Sequence, residues 1–192
     1  TYVDLAHALP HRVTGDKQNH PWVFLRREVD HGWYVDDRNP MMGFLSVDEA
    51  SILHTLARAL PECEALEIGC HRGWSTAHLA AAVKQLDVID PVLADTAHFA
   101  DVEQSLTSAG VRDKCALYGA VSPAKVHELI KERGRPWSFI FVDGDHEPDG
   151  PLWDAQTVAN SAARDAIIVF HDLASPVVAE GLAYLRSIGW SC

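Results

Sequence analysis

Four consecutive apolar residues, Phe139, Ile140, Phe141 and Val142, run straight into Asp143. A strand with one wet face alternates apolar and polar residues, so an unbroken apolar run of this length marks a strand covered on both faces. Four more such runs occur, at Ala65 to Gly69, Leu86 to Asp90, Ala116 to Ala120 and Ala166 to Asp172. Helical patterns separate them at Ser75 to Val83, Asp101 to Ala109, Ala124 to Arg133 and Leu152 to Ala163, and Gly110 and Gly134 follow two of these as helix stops. Strand and helix in alternation require parallel pairing through crossovers, with helices on both sheet faces. The expected fold is α/β, a Rossmann-like doubly wound and mainly parallel sheet.

Ahead of the first run, Ser46 and Glu49 form a capping box for a helix reaching Leu60, with Ile52, Leu53, Leu56 and Leu60 as its buried face. A last helix is expected over Val177 to Ile188. Sheets of this kind often finish with an antiparallel pair, so one or two strands are expected beyond Cys192. Residues 1–43 show no sustained period, yet Trp22, Val23, Phe24 and Leu25 gain by packing on something. They are read as an N-terminal cap over the active face of a ligand-binding domain at 44–192. His7, His11, His20 and His31 lack the spacing of a metal site and are read as surface histidines of that cap.

A chain of 192 residues can bury one sufficient core, and none of its apolar stretches is long enough to span a bilayer. The net charge of −11, with no cluster of Lys and Arg, argues against nucleic acid as a partner. Cys63, Cys70, Cys115 and Cys192 form no CxxC pair, which disfavours zinc and disulfide exchange and fits reduced thiols in a cytoplasm. No membrane association is expected, and a homodimer is the prior for a small enzyme.

The strand ends carry the chemistry. Glu67, Ile68 and Gly69 lead into Cys70, His71, Arg72, Gly73, Trp74 and Ser75, a strand, glycine turn and helix start suited to a nucleotide or a carboxylate. The glycine spacing departs from the dinucleotide fingerprint, which tells against NAD and FAD. Asp90 closes the next strand, about one βα unit later, where it can accept both hydroxyls of a ribose. Asp143 to His146, reading Asp-Gly-Asp-His, and His171-Asp172 end two later strands and should face each other across a cleft. Asp143, His171 and Asp172 make a mixed donor set suited to Mg²⁺ or Mn²⁺.

The run from Glu67 to Ser75 resembles motif I of class I S-adenosylmethionine-dependent methyltransferases, close to the catechol O-methyltransferase-like group. The resemblance implies that Gly69 and Cys70 lie against the cofactor, that Ser75 binds its methionine carboxylate, and that Glu67 lies toward its amino group. It also implies a ribose-binding role for Asp90 and an adenine border at Ala120 and Val121. Asp143 would bound the cofactor and hold a divalent metal, expected to be Mg²⁺, with His171 and Asp172. The Asp-Gly-Asp-His and His-Asp pairs resemble those of antibiotic-tailoring and sugar O-methyltransferases, and His146 stands where the family has its general base. An imidazole near its reference pKa of roughly 6.5 can take a hydroxyl proton at neutral pH.

The expected reaction is methylation of a hydroxyl on a small molecule, of natural-product or sugar type. Trp22, Phe24, Trp33, Tyr34, Trp74 and Trp153 suggest aromatic walls for that acceptor. The alternatives are a metal-independent O- or N-methyltransferase, with His146 as a ligand or orienting group, and an aspartate-dependent phosphatase built on Asp143 and Asp145. Asp154 reads as part of a solvated helix face.

Overall fold

The computed structural model describes residues 47–191 together with Leu5, Ala8, His11–Thr14, Gly32–Val35 and Leu45. Strands β1 (His11–Thr14) and β2 (Gly32–Val35) pair antiparallel, with His11 opposite Val35, and β2 lies against the first helix. The Ser46 cap, His7, His20, His31, Trp22 and Phe24 lie outside the described residues.

The main unit runs α1 (Val47–Arg58), β3 (Glu64–Ile68), α2 (Trp74–Ala82), β4 (Gln85–Ile89), α3 (Thr96–Ser108), β5 (Cys115–Tyr118), α4 (Ala124–Arg133), β6 (Trp137–Val142), α5 (Gly150–Ser161), β7 (Ala162–Phe170) and α6 (Pro176–Ser187). The sheet order is β5-β4-β3-β6-β7, parallel throughout. The chain therefore builds outward from β3 to β5, then returns to the other side of β3 for β6 and β7. This reversal is a topological switch point, and it opens a crevice at the carboxyl ends of β3 and β6.

The apolar residues of the strands fall into two cores. On one face Ala65, Leu86, Val88, Phe139 and Phe141 meet α1, α2 and α3; on the other Leu66, Ile68, Ile89, Ile140 and Val142 meet α4, α5 and α6. Successive residues of a strand point to opposite faces, so Glu67 must project toward α2 and Asp87 toward α4.

Some boundaries move for local reasons. Helix α3 begins at Thr96, five residues before the expected Asp101, because the Asp95 carboxylate caps it by accepting from the His98 N–H at 2.8 Å. Strand β7 begins at Ala162, where the preceding helix was expected to continue, and its first turns of chain carry the exposed Arg164 and Asp165. Ile52 is not on the buried face of α1. Ala50, Leu53 and Ala57 form that stripe, and Ile52, 56% exposed, stands beside it.

Buried Asp87 is held by a network. Arg133 Nη1 and Trp137 Nε1 donate to its Oδ2 at 2.7 and 2.8 Å, while Arg133 Nη2 donates to Glu64, and the guanidinium lies over the Trp137 ring. Removing one member of a buried ion pair leaves an uncompensated charge, which costs about 3–5 kcal/mol. Arg133→Ala is expected to destabilise the protein by that amount in urea unfolding, and Arg133→Met combined with Asp87→Asn to recover most of it.

Candidate active site

Parallel register carries the chemistry-bearing residues to one edge. Ile68 pairs with Ile89 and with Val142, and Val142 pairs with Phe170. The next residue on each strand is Asp90, Gly69, Asp143 or His171, in the spatial order β4-β3-β6-β7. The ladder continues into them: the N–H groups of Gly69, Asp143 and His171 donate to the carbonyls of Ile89, Ile68 and Val142 at 2.9, 2.8 and 3.0 Å. Four of the expected site positions thus form one contiguous row.

Gly69 has φ +86°, and a Cβ there would stand 1.9 Å from the Asp143 carbonyl oxygen, so the turn after β3 admits only glycine. The turn is tied to Asp90. The N–H groups of Cys70 and His71 donate to Asp90 Oδ2 at 2.8 and 2.9 Å, and that of Val92 donates to Oδ1 at 2.9 Å. The acid expected at a ribose is therefore also the clamp of the glycine turn. Burial pushes the Cys70 thiol well above its ordinary range, so it is inert as a nucleophile.

Glu67 is fully buried where α2 covers β3. The Ser75 hydroxyl donates to its Oε1, which uses the single donor of that serine, and Oε2 has no hydrogen bond within 3.5 Å. Burial raises the carboxyl to about 8, against the opposing effect of the Ser75 and Thr76 hydroxyls. Beyond β5, a Cβ on Gly119 would stand 2.5 Å from the Ala94 nitrogen, so this loop presses on the turn that follows Asp90. Ala120 and the exposed Val121 come next.

On the other side of the row, four groups converge. His171 Nδ1 lies 3.3 Å from Asp143 Oδ1 and 3.3 Å from Asp172 Oδ1, while His146 Nε2 lies 3.1 Å from Asp172 Oδ2 and 3.8 Å from Asp143 Oδ1. Glu49 of α1 joins them, with Oε1 3.7 Å from His171 Nε2. Burial works against a charge on His171, but Asp143, Asp172 and Glu49 outweigh it and raise the imidazole above its ordinary range. The Asp172 hydrogen bond raises His146 as well. Asp172 is held below its usual range, since the two imidazoles outweigh burial, whereas burial dominates at Asp143 and raises it. Ligand atoms of Asp143, His146 and Asp172 fall within 4.8 Å of one another, close enough to share one cation.

A cleft opens beside this cluster. Leu45, Ile52 and Leu53 form one wall and Phe141, Val169 and Leu173 the other, with Glu49, His171 and Asp172 as its polar groups. Of the aromatic residues expected in the walls, Trp74 is 6% exposed and packs on His78 and Trp153 projects from α5 to solvent, while the side chains of Trp22, Phe24, Trp33 and Tyr34 lie outside the described residues. The aliphatic wall comes from α1, which faces the cleft beside β7.

Two participants escaped the sequence reading. Glu49 gave no signal beyond its helix-start position. Asp154 did: it shares the buried stripe of α5 with Pro151, Ala155 and Val158, and it is 3% exposed, not solvated. Asp145, by contrast, is exposed and accepts the Glu147 N–H in a local turn.

The pattern of a family described as a methyltransferase domain matches residues 66–173, more than half of the chain and the whole span from the glycine turn to His171-Asp172. The chain belongs to this methyltransferase family. No curated protein matches it in sequence. Among solved structures, the fold resembles the O-methyltransferase TomG of Streptomyces achromogenes, involved in tomaymycin synthesis and solved with S-adenosylmethionine (21% identity, 77% of this chain and 71% of that one, TM-score 0.63). It also resembles an O-methyltransferase of Bacillus cereus solved with S-adenosylhomocysteine (18%, 76% and 70%, TM-score 0.62). A precorrin-8w decarboxylase of Methanobacterium thermoautotrophicum is equally similar in fold (17%, 83% and 79%, TM-score 0.66). Likeness at this level concerns the fold, and reactions are read from sites.

The methyltransferase domain carries a testable pH signature at Glu67. Its raised pKa means that, between about 4.5 and 8, the folded protein holds a proton that the unfolded chain has lost, so stability falls as pH rises through that window. Glu67→Gln keeps an acceptor for Ser75 and removes the titration. The expected result in urea unfolding is a variant that gains on the parent as pH increases from 5 to 8, by on the order of 3 kcal/mol.

Proposed function

We propose that this methyltransferase transfers a methyl group from S-adenosylmethionine to a hydroxyl of a small acceptor, assisted by a divalent cation. The observation that carries the reading is the contiguous row Asp90, Gly69, Asp143, His171 across four neighbouring strand ends. It divides the crevice into a donor side over β3 to β5 and an acidic side over β6 and β7.

The donor side fits the cofactor. The Gly69 turn lets a ligand approach the backbone, and Asp90 faces the turn with Oδ1 taking a single backbone N–H, leaving room for a ribose hydroxyl. Glu67 keeps a buried oxygen without a hydrogen bond, suited to an ammonium group. Ala120 and Val121 give the base an apolar border. The acidic side fits a hard cation, since Asp143 and Asp172 offer carboxylate oxygens beside imidazole nitrogen.

When bound, the donor supplies an electrophilic methyl carbon and the cation supplies charge that favours an ionised hydroxyl. Asp143 and Asp172 hold the cation. We assign the third place to His171, because it is buried and centred between both acids at 3.3 Å. His146, with its side chain 41% exposed, reaches solvent and is assigned to accept the hydroxyl proton on its imidazole. The second reading exchanges these roles, and the convergence of Asp143, His146 and Asp172 favours it. The aliphatic cleft beside His171 and Asp172 orients an acceptor whose hydroxyl lies at the edge of an apolar ring or chain.

S-adenosylhomocysteine is expected to bind in calorimetry and Mg²⁺ to be needed for turnover after EDTA dialysis. Asp143→Ala should lower turnover by about 10²-fold or more while changing S-adenosylhomocysteine affinity much less. Turnover of that variant in chelated buffer at the parent rate would remove the cation from the reading. His146→Gln should keep Mg²⁺ affinity and lose about 10²–10⁴ in rate, whereas His171→Gln should lose Mg²⁺ affinity; the reverse pattern selects the second assignment.

A further inference from the structure

Asp154 has no part in the chemistry above, yet it is a carboxylate buried to 3% exposure in the second turn of α5, at the rear of the donor side. Burying an acid costs free energy that an apolar residue on the same helix stripe would not incur, so its partners deserve an account. The Ser122 hydroxyl donates to Asp154 Oδ1, and Asp154 Oδ2 lies beside Gly144, 3.3 Å from where a Cβ would stand. Burial raises this carboxyl to about 6, and the Ser122 bond works against the shift.

Ser122 directly follows Val121 in the loop after β5, and Gly144 directly follows Asp143 in the loop after β6. These loops leave strands on opposite sides of β3 and have no ladder between them. Gly144 is also crowded from the other side, where a Cβ would stand 2.9 Å from Ile68 Cγ2.

We propose that Asp154 is a positioning residue for the methyl donor: its hydrogen bond from Ser122 anchors the loop carrying Ala120 and Val121 to α5, alongside Gly144, and so fixes the wall that recognises the adenine end. The inference rests on the donor assignment made above. Loss of the tie leaves the Gly69 turn and the acidic cluster intact but lets the adenine wall move, so the penalty falls on binding of the adenosine part.

The test is calorimetric titration of S-adenosylhomocysteine and of 5′-methylthioadenosine, which keeps the adenosine and lacks the amino acid, into parent, Asp154→Ala, Asp154→Asn and Ser122→Ala, with thermal unfolding alongside. Asp154→Ala and Ser122→Ala are expected to weaken both ligands about tenfold, the size of one lost hydrogen bond to a charged group. Asp154→Asn, which can still accept from Ser122, should recover most of that loss. The double variant should be no weaker than Asp154→Ala alone, because both substitutions break the same tie. A purely structural role lowers the melting temperature without moving either Kd, and unchanged affinities in folded Asp154→Ala overturn the proposal. If Asp154→Ala does not fold, Ser122→Ala decides by the same criterion. Failure of the parent to bind S-adenosylhomocysteine sinks the donor assignment itself, whereas a binding parent with indifferent variants sinks only the role of Asp154.

Discussion

The backbone contact between Gly69 and Asp143 is the constraint on which the site depends. It brings the glycine turn after β3 within van der Waals reach of the peptide that carries the β6 acid, with no room for a side chain between them. In the proposed reading, a donor on the turn and a cation at the acid would thereby be neighbours. Any residue with a Cβ at position 69 would push β3 and β6 apart at their carboxyl ends, and the Asp143 N–H would lose its carbonyl on Ile68. The spacing between the glycine turn and the acidic cluster is thus set by one close approach.

The charge arrangement follows from the same geometry. Strand alternation sends Glu67 into the α2 side of the sheet, and the strand ends collect Asp90, Asp143 and Asp172 along one edge. Each acid is accommodated differently. Asp90 accepts from three backbone N–H groups, Asp172 lies beside two imidazoles, and Glu67 is buried with its carboxyl pKa raised. Acids gathered along one edge favour positively charged groups there, which is the electrostatic basis of the function proposed above.

Much of this was legible in the sequence because the informative signals were local. Helix α4 matches its expected span residue for residue, since Gly134 takes the left-handed conformation that stops it. The apolar strands betrayed the double-sided core, and the acids at their ends betrayed the edge. What stayed hidden depended on chain segments distant in sequence. Glu49 meets His171 only because α1 crosses the mouth of β7, and Asp154 looked solvated although its stripe on α5 is apolar on either side. The assignment of His146 and His171 was equally beyond spacing, because both imidazoles reach the same two carboxylates.

The row of strand-end residues also bears on motion. Gly69, Asp143 and His171 have their amide hydrogens locked in the sheet ladder, so their exchange with solvent requires opening of the central strands, the slowest class of local opening in a domain. The floor of the crevice is therefore held by backbone hydrogen bonds of the sheet, whereas His146, with its side chain 41% exposed, is the most exposed of the clustered groups.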